Sequence, residues 1–210
     1  MKNIIFDVDG TLWDTTEVVA KAWNRAISKV GGTAAVITAP VLKKEFGKTM
    51  DVIADNLFRD ASREKRELIL QECCSCEHDA LSENTEDLLF TDVRETLVKL
   101  SEKCKLFIVS NCQSGYIELF MEKAGIEKYI TDYECFGNTG KGKGENIKLV
   151  MERNHLDDVV YVGDTQGDYE ATVFAGIPFV FARYGFGEVQ SYYRAIDSIK
   201  ELLELCREDK

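Results

Sequence analysis

The sequence has no apolar run long enough to cross a bilayer, and its opening MKNIIFDVDG offers one lysine and three apolar residues before Asp7. That opening lacks the long apolar stretch of a secretory signal. There is no run of lysine or arginine to set against a formal net charge of −11, so nucleic acid and anionic membrane are unfavourable partners. No segment repeats at a solenoid period, and glycine and proline are not in excess, which excludes repeat arrays and low-complexity chains. The seven cysteines are an odd number scattered through strand-like and helix-like segments. They argue for a reduced, cytoplasmic protein and against a disulfide scaffold.

What is present points to one enzyme-sized unit, since 210 residues at 45% hydrophobic composition can bury a substantial core. Short β-rich apolar runs at residues 3–8, 105–109, 159–162 and 177–181 are each followed by polar or glycine-containing residues and then a helical pattern. That alternation predicts an α/β fold with a doubly wound parallel sheet, and such sheets bind ligands at the carboxyl ends of their strands. Residues 14–90 read differently. Val18, Val19, Ala22, Trp23, Ala26, Ile27 and Val30 form a helical stripe, and further helices are predicted over 40–46, 50–58 and 63–79, broken at Gly31-Gly32 and Gly47. We therefore expect a core domain of residues 1–13 and 91–210, with 14–90 as an inserted all-helical domain over the tip of the first strand.

The strongest chemical feature is Asp7-Val8-Asp9-Gly10-Thr11, directly after the apolar Ile4-Ile5-Phe6. Extended-chain alternation puts both carboxylates on one side, where they repel unless a cation lies between them, and Mg2+ prefers such oxygen ligands. A second pair, Asp164 and Asp168, follows the apolar Val159-Val160-Tyr161-Val162. Asp168 can equally serve as a helix cap. Ser110-Asn111, after the run at 105–109, offers a hydroxyl, an amide and helix N-terminal N–H groups to a phosphate. Lys141 and Lys143, in Gly140-Lys141-Gly142-Lys143-Gly144, precede a helix predicted over 145–154 and can neutralise a transferring phosphoryl group.

Other features carry less. Cys73, Cys74 and Cys76, with His78 nearby, lack the spacing of a paired Cys-x-x-Cys zinc site and fit thiols half-buried on a helix. His155 fits a surface position. Residues 137–143 nearly spell a nucleotide-binding P-loop, but Gly144 stands where a Ser or Thr must hold magnesium.

In this order, the Asp-x-Asp-Gly-Thr segment, a serine after a second strand, a lysine at a helix and Gly-Asp-x-x-x-Asp resemble the haloacid dehalogenase superfamily. Within it the chain resembles the phosphoglycolate phosphatase and β-phosphoglucomutase-like group, which carries an α-helical cap. The resemblance implies that Asp7 is the nucleophile and forms an aspartyl-phosphate, while Asp9 protonates the leaving oxygen and then activates water. It implies Mg2+ bound by the Asp7 carboxylate, the Asp9 backbone carbonyl and Asp164, with Asp168 in support. It places Ser110, Asn111 and Thr11 against the substrate phosphate, prefers Lys143 to Lys141 as the site lysine, and makes Phe46-Gly47-Lys48-Thr49 the cap's specificity turn, with Lys48 as its candidate substrate contact. Family dehalogenases lack the second acid, so Asp9 favours a Mg2+-dependent phosphatase acting on a small phosphorylated metabolite. A phosphosugar mutase is the alternative within the superfamily, though Met50 stands where those enzymes place an arginine. A phosphorylatable signalling module without turnover is the alternative from another class.

Overall fold

The computed structural model describes residues 2–206. Its centre is a parallel sheet of six strands in the order β3-β2-β1-β4-β5-β6. The strands are β1 (Asn3–Phe6), β2 (Lys105–Ser110), β3 (Ile130–Cys135), β4 (Val159–Gly163), β5 (Phe179–Ala182) and β6 (Arg194–Ile196). β1 is continuous in apolar residues because both its faces are covered: Ile4 and Phe6 enter one core cluster and Ile5 the other. Helices α5 (Val93–Ser101) and α6 (Tyr116–Ala124) supply Leu97, Leu100, Ile117 and Phe120 to the first cluster. On the other face α8 (Lys143–Arg153) and α9 (Gln166–Ala175) supply Ile147, Val150 and Ala171; α10 (Leu202–Leu205) returns to the first face with Leu202, and the single turn α7 (Phe136–Thr139) follows β3. The doubly wound α/β architecture expected from the strand and helix alternation is the one observed.

β1 pairs with β2 on one side and β4 on the other, so the winding of the chain reverses at β1. A crevice opens at the carboxyl ends of strands at such a switch point. Asp7, Ser110 and Asp164 are all found there, each at or one residue past the end of its strand.

Between β1 and α5 the chain forms only helices: α1 (Thr16–Val30), α2 (Ala39–Glu45), α3 (Met50–Leu57) and α4 (Arg63–Glu83). Trp23, Phe58 and Ile69 are fully buried among them. Two crossings join this segment to the sheet, and they pair with each other. The Asp14 amide donates to the Leu88 carbonyl at 2.9 Å and the Phe90 amide to the Leu12 carbonyl at 3.0 Å, with Trp13 bridging Leu89 in antiparallel fashion. Among the described residues no helix is long and apolar enough to cross a membrane.

Several boundaries differ from the sequence expectation. β1 ends at Phe6 and not at Val8, because the chain turns back on the Val8 carbonyl, which accepts from Thr11 and Leu12 amides, and passes through Gly10 at φ +79°. α8 starts at Lys143 and not at Glu145, since Gly142 is its N-cap and donates its amide to Glu145 Oε2 at 3.1 Å. β3 and β6 escaped the sequence reading. Each is an edge strand, β3 interrupted by Asp132 and Glu134 and β6 only three residues long, so neither carries an apolar run.

Candidate active site

Asp7, Asp164 and Asp168 are buried at the switch point, and each offers a carboxylate oxygen within 4.8 Å of the others. Among the described residues this is the cluster of His, Cys, Asp and Glu side chains close enough to share a metal ion. The one cation inside it is Lys143, whose ammonium lies 2.9 Å from Asp7 Oδ1 and 2.5 Å from Asp168 Oδ1 at only 3% side-chain exposure. Lys143 reaches the crevice because α8 starts at that residue, which turns its side chain under the sheet edge. Burial works against its charge, but Asp168 and Asp7 outweigh burial and hold its pKa above the usual lysine range.

The three acids are not equivalent. Asp168 is fully engaged: Oδ1 accepts from Lys143 and, at 3.4 Å, from the Tyr161 hydroxyl, while Oδ2 accepts from the Asp164 and Thr165 amides and the Thr165 hydroxyl. It caps α9 and fixes Lys143, with few lone pairs left for anything else. Asp164 accepts from the Phe186 amide at 2.7 Å and from the Thr11 hydroxyl at 3.3 Å. Thr11, expected against the substrate, therefore spends its hydroxyl on Asp164. Asp7 is the least satisfied. The Lys143 contact lies off hydrogen-bond geometry, and neither Asp7 oxygen accepts a hydrogen bond. Burial pushes the Asp7 carboxyl up to about 6, with Lys143 pulling the other way, and burial together with the neighbouring acids pushes Asp164 well above the carboxylate range.

Two buried carboxylates in excess over one ammonium, with open lone pairs on Asp7, make a hard oxygen donor set that a divalent cation fits. Close packing guards it. A Cβ on Gly10 would sit 2.2 Å from Asp164 Oδ2, so only glycine lets this turn pass the carboxylate.

Asp9 lies apart from this cluster. Its side chain turns the other way from Asp7, and its Oδ1 accepts from the Tyr116 hydroxyl at 2.6 Å and the Thr15 hydroxyl at 3.4 Å. Strand alternation, which predicts the two acids side by side, fails because the strand has already ended. Burial raises the Asp9 pKa to about 8, against the opposing pull of Tyr116, which favours the protonated form. A carboxylic acid and a carboxylate thus lie two residues apart in unlike surroundings, an arrangement suited to giving a proton and attacking an electrophile.

Ser110 is buried and lines a cavity shared by Asp9, Asn111 and Lys48. Asn111 Nδ2 donates to the Gly47 carbonyl at 2.8 Å, which ties the core loop to the turn between α2 and α3, while its Oδ1 is buried without a partner. Gly47, at φ +89°, has Thr165 of the core so close that a Cβ would meet its methyl at 3.2 Å. Lys48 stands at the rim, partly exposed and paired with Glu45 at 2.9 Å. Lys141 is exposed, and its distance from the cluster follows from its place in the loop before α8. His155 is exposed as well. The Cys73 and Cys74 thiols are pushed up by burial, Cys74 to about 12, which disfavours the thiolate needed for metal binding or redox chemistry.

Sequence reasoning passed over Thr15, Tyr116 and Glu77. The first two carry no signal in the chain; they become partners of Asp9 only when α6 packs beside the first loop. Glu77 was findable, for Ile69, Cys73, Glu77 and Leu81 recur every four residues and all are buried on α4.

The class of protein follows from sheet order, crevice and acid cluster together. Residues 4–182 match the family described as haloacid dehalogenase-like hydrolase, and the chain belongs to it. Among curated proteins it is similar to the phosphoglycolate phosphatase of Vibrio parahaemolyticus, 27% identical with 98% of this chain and 96% of the relative covered. That of Vibrio cholerae is 26% identical over the same shares of the two chains. Among solved structures, a haloacid dehalogenase-like hydrolase from Streptococcus pneumoniae superposes with a TM-score of 0.83 at 18% identity, covering 98% of each chain, which is a likeness of fold.

Proposed function

We infer that this hydrolase is a Mg2+-dependent phosphatase that cleaves a small phosphomonoester through an aspartyl-phosphate on Asp7. The observation that carries the reading is the split between Asp7, open and held beside Lys143, and Asp9, buried and oriented by Tyr116. The phosphoglycolate phosphatase relatives support the reaction class.

An Asp7 oxygen attacks phosphorus as the ester P–O bond breaks, and Asp9 gives its proton to the departing oxygen. Asp9, now a carboxylate, then takes a proton from the water that releases phosphate and restores Asp7. Lys143 holds Asp7 in place and faces the phosphoryl oxygens, which Ser110 and the amides after β2 also receive. The Asp7 and Asp164 carboxylates and the Asp9 carbonyl would hold Mg2+, with Asp168 orienting them through Lys143 and the loop amides. When bound, the ion neutralises the phosphoryl charge that otherwise opposes attack by a carboxylate.

Residues 14–90 serve as a cap over this chemistry, hinged at the paired crossings around Trp13 and Leu89. Positions 1 and 207–210 of the core assigned from sequence lie outside the described residues. The cavity between cap and core is about 20 Å3, room for roughly one water-sized group. Substrate entry therefore requires the cap to open, and closure excludes bulk water from the acyl-phosphate.

Release of phosphate from para-nitrophenyl phosphate tests the reading. Turnover is expected with Mg2+, loss of it with a chelator, and inhibition by Ca2+, whose longer bonds and higher ligand number suit in-line attack poorly. Full turnover in chelator, or stable phosphorylation of Asp7 with no release, overturns it.

A further inference from the structure

Beyond Asp9, the space open to a leaving group is walled mainly by the helical segment, and its one buried charged group there is Glu77 of α4. The residue is 3% exposed. Its Oε1 accepts from the Gln113 amide at 2.8 Å and its Oε2 from the Trp23 indole at 2.6 Å. Both donors are neutral, and among the described residues no lysine or arginine pairs with this carboxylate. A carboxylate offers about four acceptor positions, so two remain. The cation on the cavity wall, Lys48, stands at the rim and is already paired with Glu45, which also accepts from the Asn56 amide at 2.8 Å.

Burial with no counter-ion raises this carboxyl to about 7, and an arriving ammonium draws it into the ionised form. Trp23 and Tyr116 line the same cavity. A carboxylate-bearing leaving group such as glycolate, brought against Glu77 in this closed space, meets like charge instead.

Resting on the phosphatase reading above, we propose that the preferred substrates are phosphate monoesters of short amino alcohols, with Glu77 receiving the ammonium of the leaving group. The closed cavity has room for about one water-sized group, so the cap opens to admit this leaving group and favours a short one. The reaction is ester plus water to inorganic phosphate plus amino alcohol: the ester P–O bond breaks as the Asp7–phosphorus bond forms, and Asp9 supplies the alcohol proton. The ammonium passes through unchanged. Glu77 here is a specificity-determining residue, so its signature is a ratio between substrates.

Three esters of matched size separate the charge types: O-phosphoethanolamine (ammonium), 2-hydroxyethyl phosphate (neutral) and phosphoglycolate (carboxylate). In the wild-type protein kcat/KM is expected to fall by about tenfold at each step in that order, the scale of one charge interaction in a partly desolvated site. Glu77→Gln is expected to reduce the ammonium-to-carboxylate ratio by about tenfold or more. A wild-type preference for phosphoglycolate or for the neutral ester overturns the proposal, as does an unchanged ratio in Glu77→Gln. The wild-type ranking decides the matter alone should the variant not fold. Hydrolysis of para-nitrophenyl phosphate with the wrong ranking removes this inference only, whereas no hydrolysis of any ester removes the phosphatase reading beneath it.

Discussion

The floor of the site and the helices above it are built on opposite plans. On the floor, Lys143, Asp168 and the amides after β4 form a saturated network around Asp7, all of it buried and anchored to the ends of central strands. The helical segment meets that floor through single links such as Asn111 to Gly47, Gln113 to Glu77, Lys43 over the Phe186 ring, and Phe46 against Phe186. The difference teaches where precision and adaptability reside. Chemistry needs atoms fixed to fractions of an ångström, so it rests on strands; substrate entry needs movement, so it is left to contacts worth about 1 kcal/mol each.

The comparison breaks hardest at Asp7. Asp7→Asn is expected to lower kcat by about a thousandfold or more while the protein stays folded, because an amide cannot form the acyl-phosphate. Near-normal turnover in a folded variant, by phosphate release and circular dichroism together, removes Asp7 as nucleophile. Asp9→Asn should lower kcat by about 10²- to 10⁴-fold for poor leaving groups and much less for para-nitrophenolate, which departs without a proton. Equal losses for both ester types count against the acid role.

Lys143→Met tests the floor as structure. It leaves three buried carboxylates without their ammonium, so a loss of about 3–5 kcal/mol is expected in denaturant unfolding without added metal. A change within the range of surface substitutions would mean the network is looser than its distances.

On the side of the cap, Glu77 gives stability a pH dependence. Burial raises its pKa from 4.5 to about 7, so the folded state keeps a proton that the unfolded chain has released between those values. Stability from this group is fully present below 4.5 and lost as pH rises through about 7, at most about 3 kcal/mol. Thermal unfolding across that window should show a flatter pH slope in Glu77→Gln than in the wild type; parallel slopes refute the assignment. The smallest effect belongs to Asn111→Ala, which removes one link between core and cap. It should raise KM roughly fivefold with kcat nearly kept, about 1 kcal/mol of closure. An equal fall in kcat instead would place Asn111 in the chemical step.

Much of this protein was legible in the chain itself. Central parallel strands are apolar on both faces and the acids follow them directly, so the fold class and the positions of Asp7, Ser110 and Asp164 at strand tips could be read from local runs. The helices between residues 14 and 90 were legible for the same reason, since one face of each repeats its apolar residues. The sequence could not say where β1 stops, and ending at Phe6 and not at Val8 sends Asp9 away from Asp7 and toward Tyr116. Family resemblance favours Lys143 over Lys141, two residues apart in a glycine-rich loop, but the start of α8 decides that Lys143 is the one buried against Asp7. Those choices depend on groups more than a hundred residues apart being packed together, and packing of that range leaves no periodic mark in the chain. Tertiary structure alone therefore determined which acid is buried against Tyr116, which lysine is buried against Asp7 and which carboxylate of the helical segment lines the cavity.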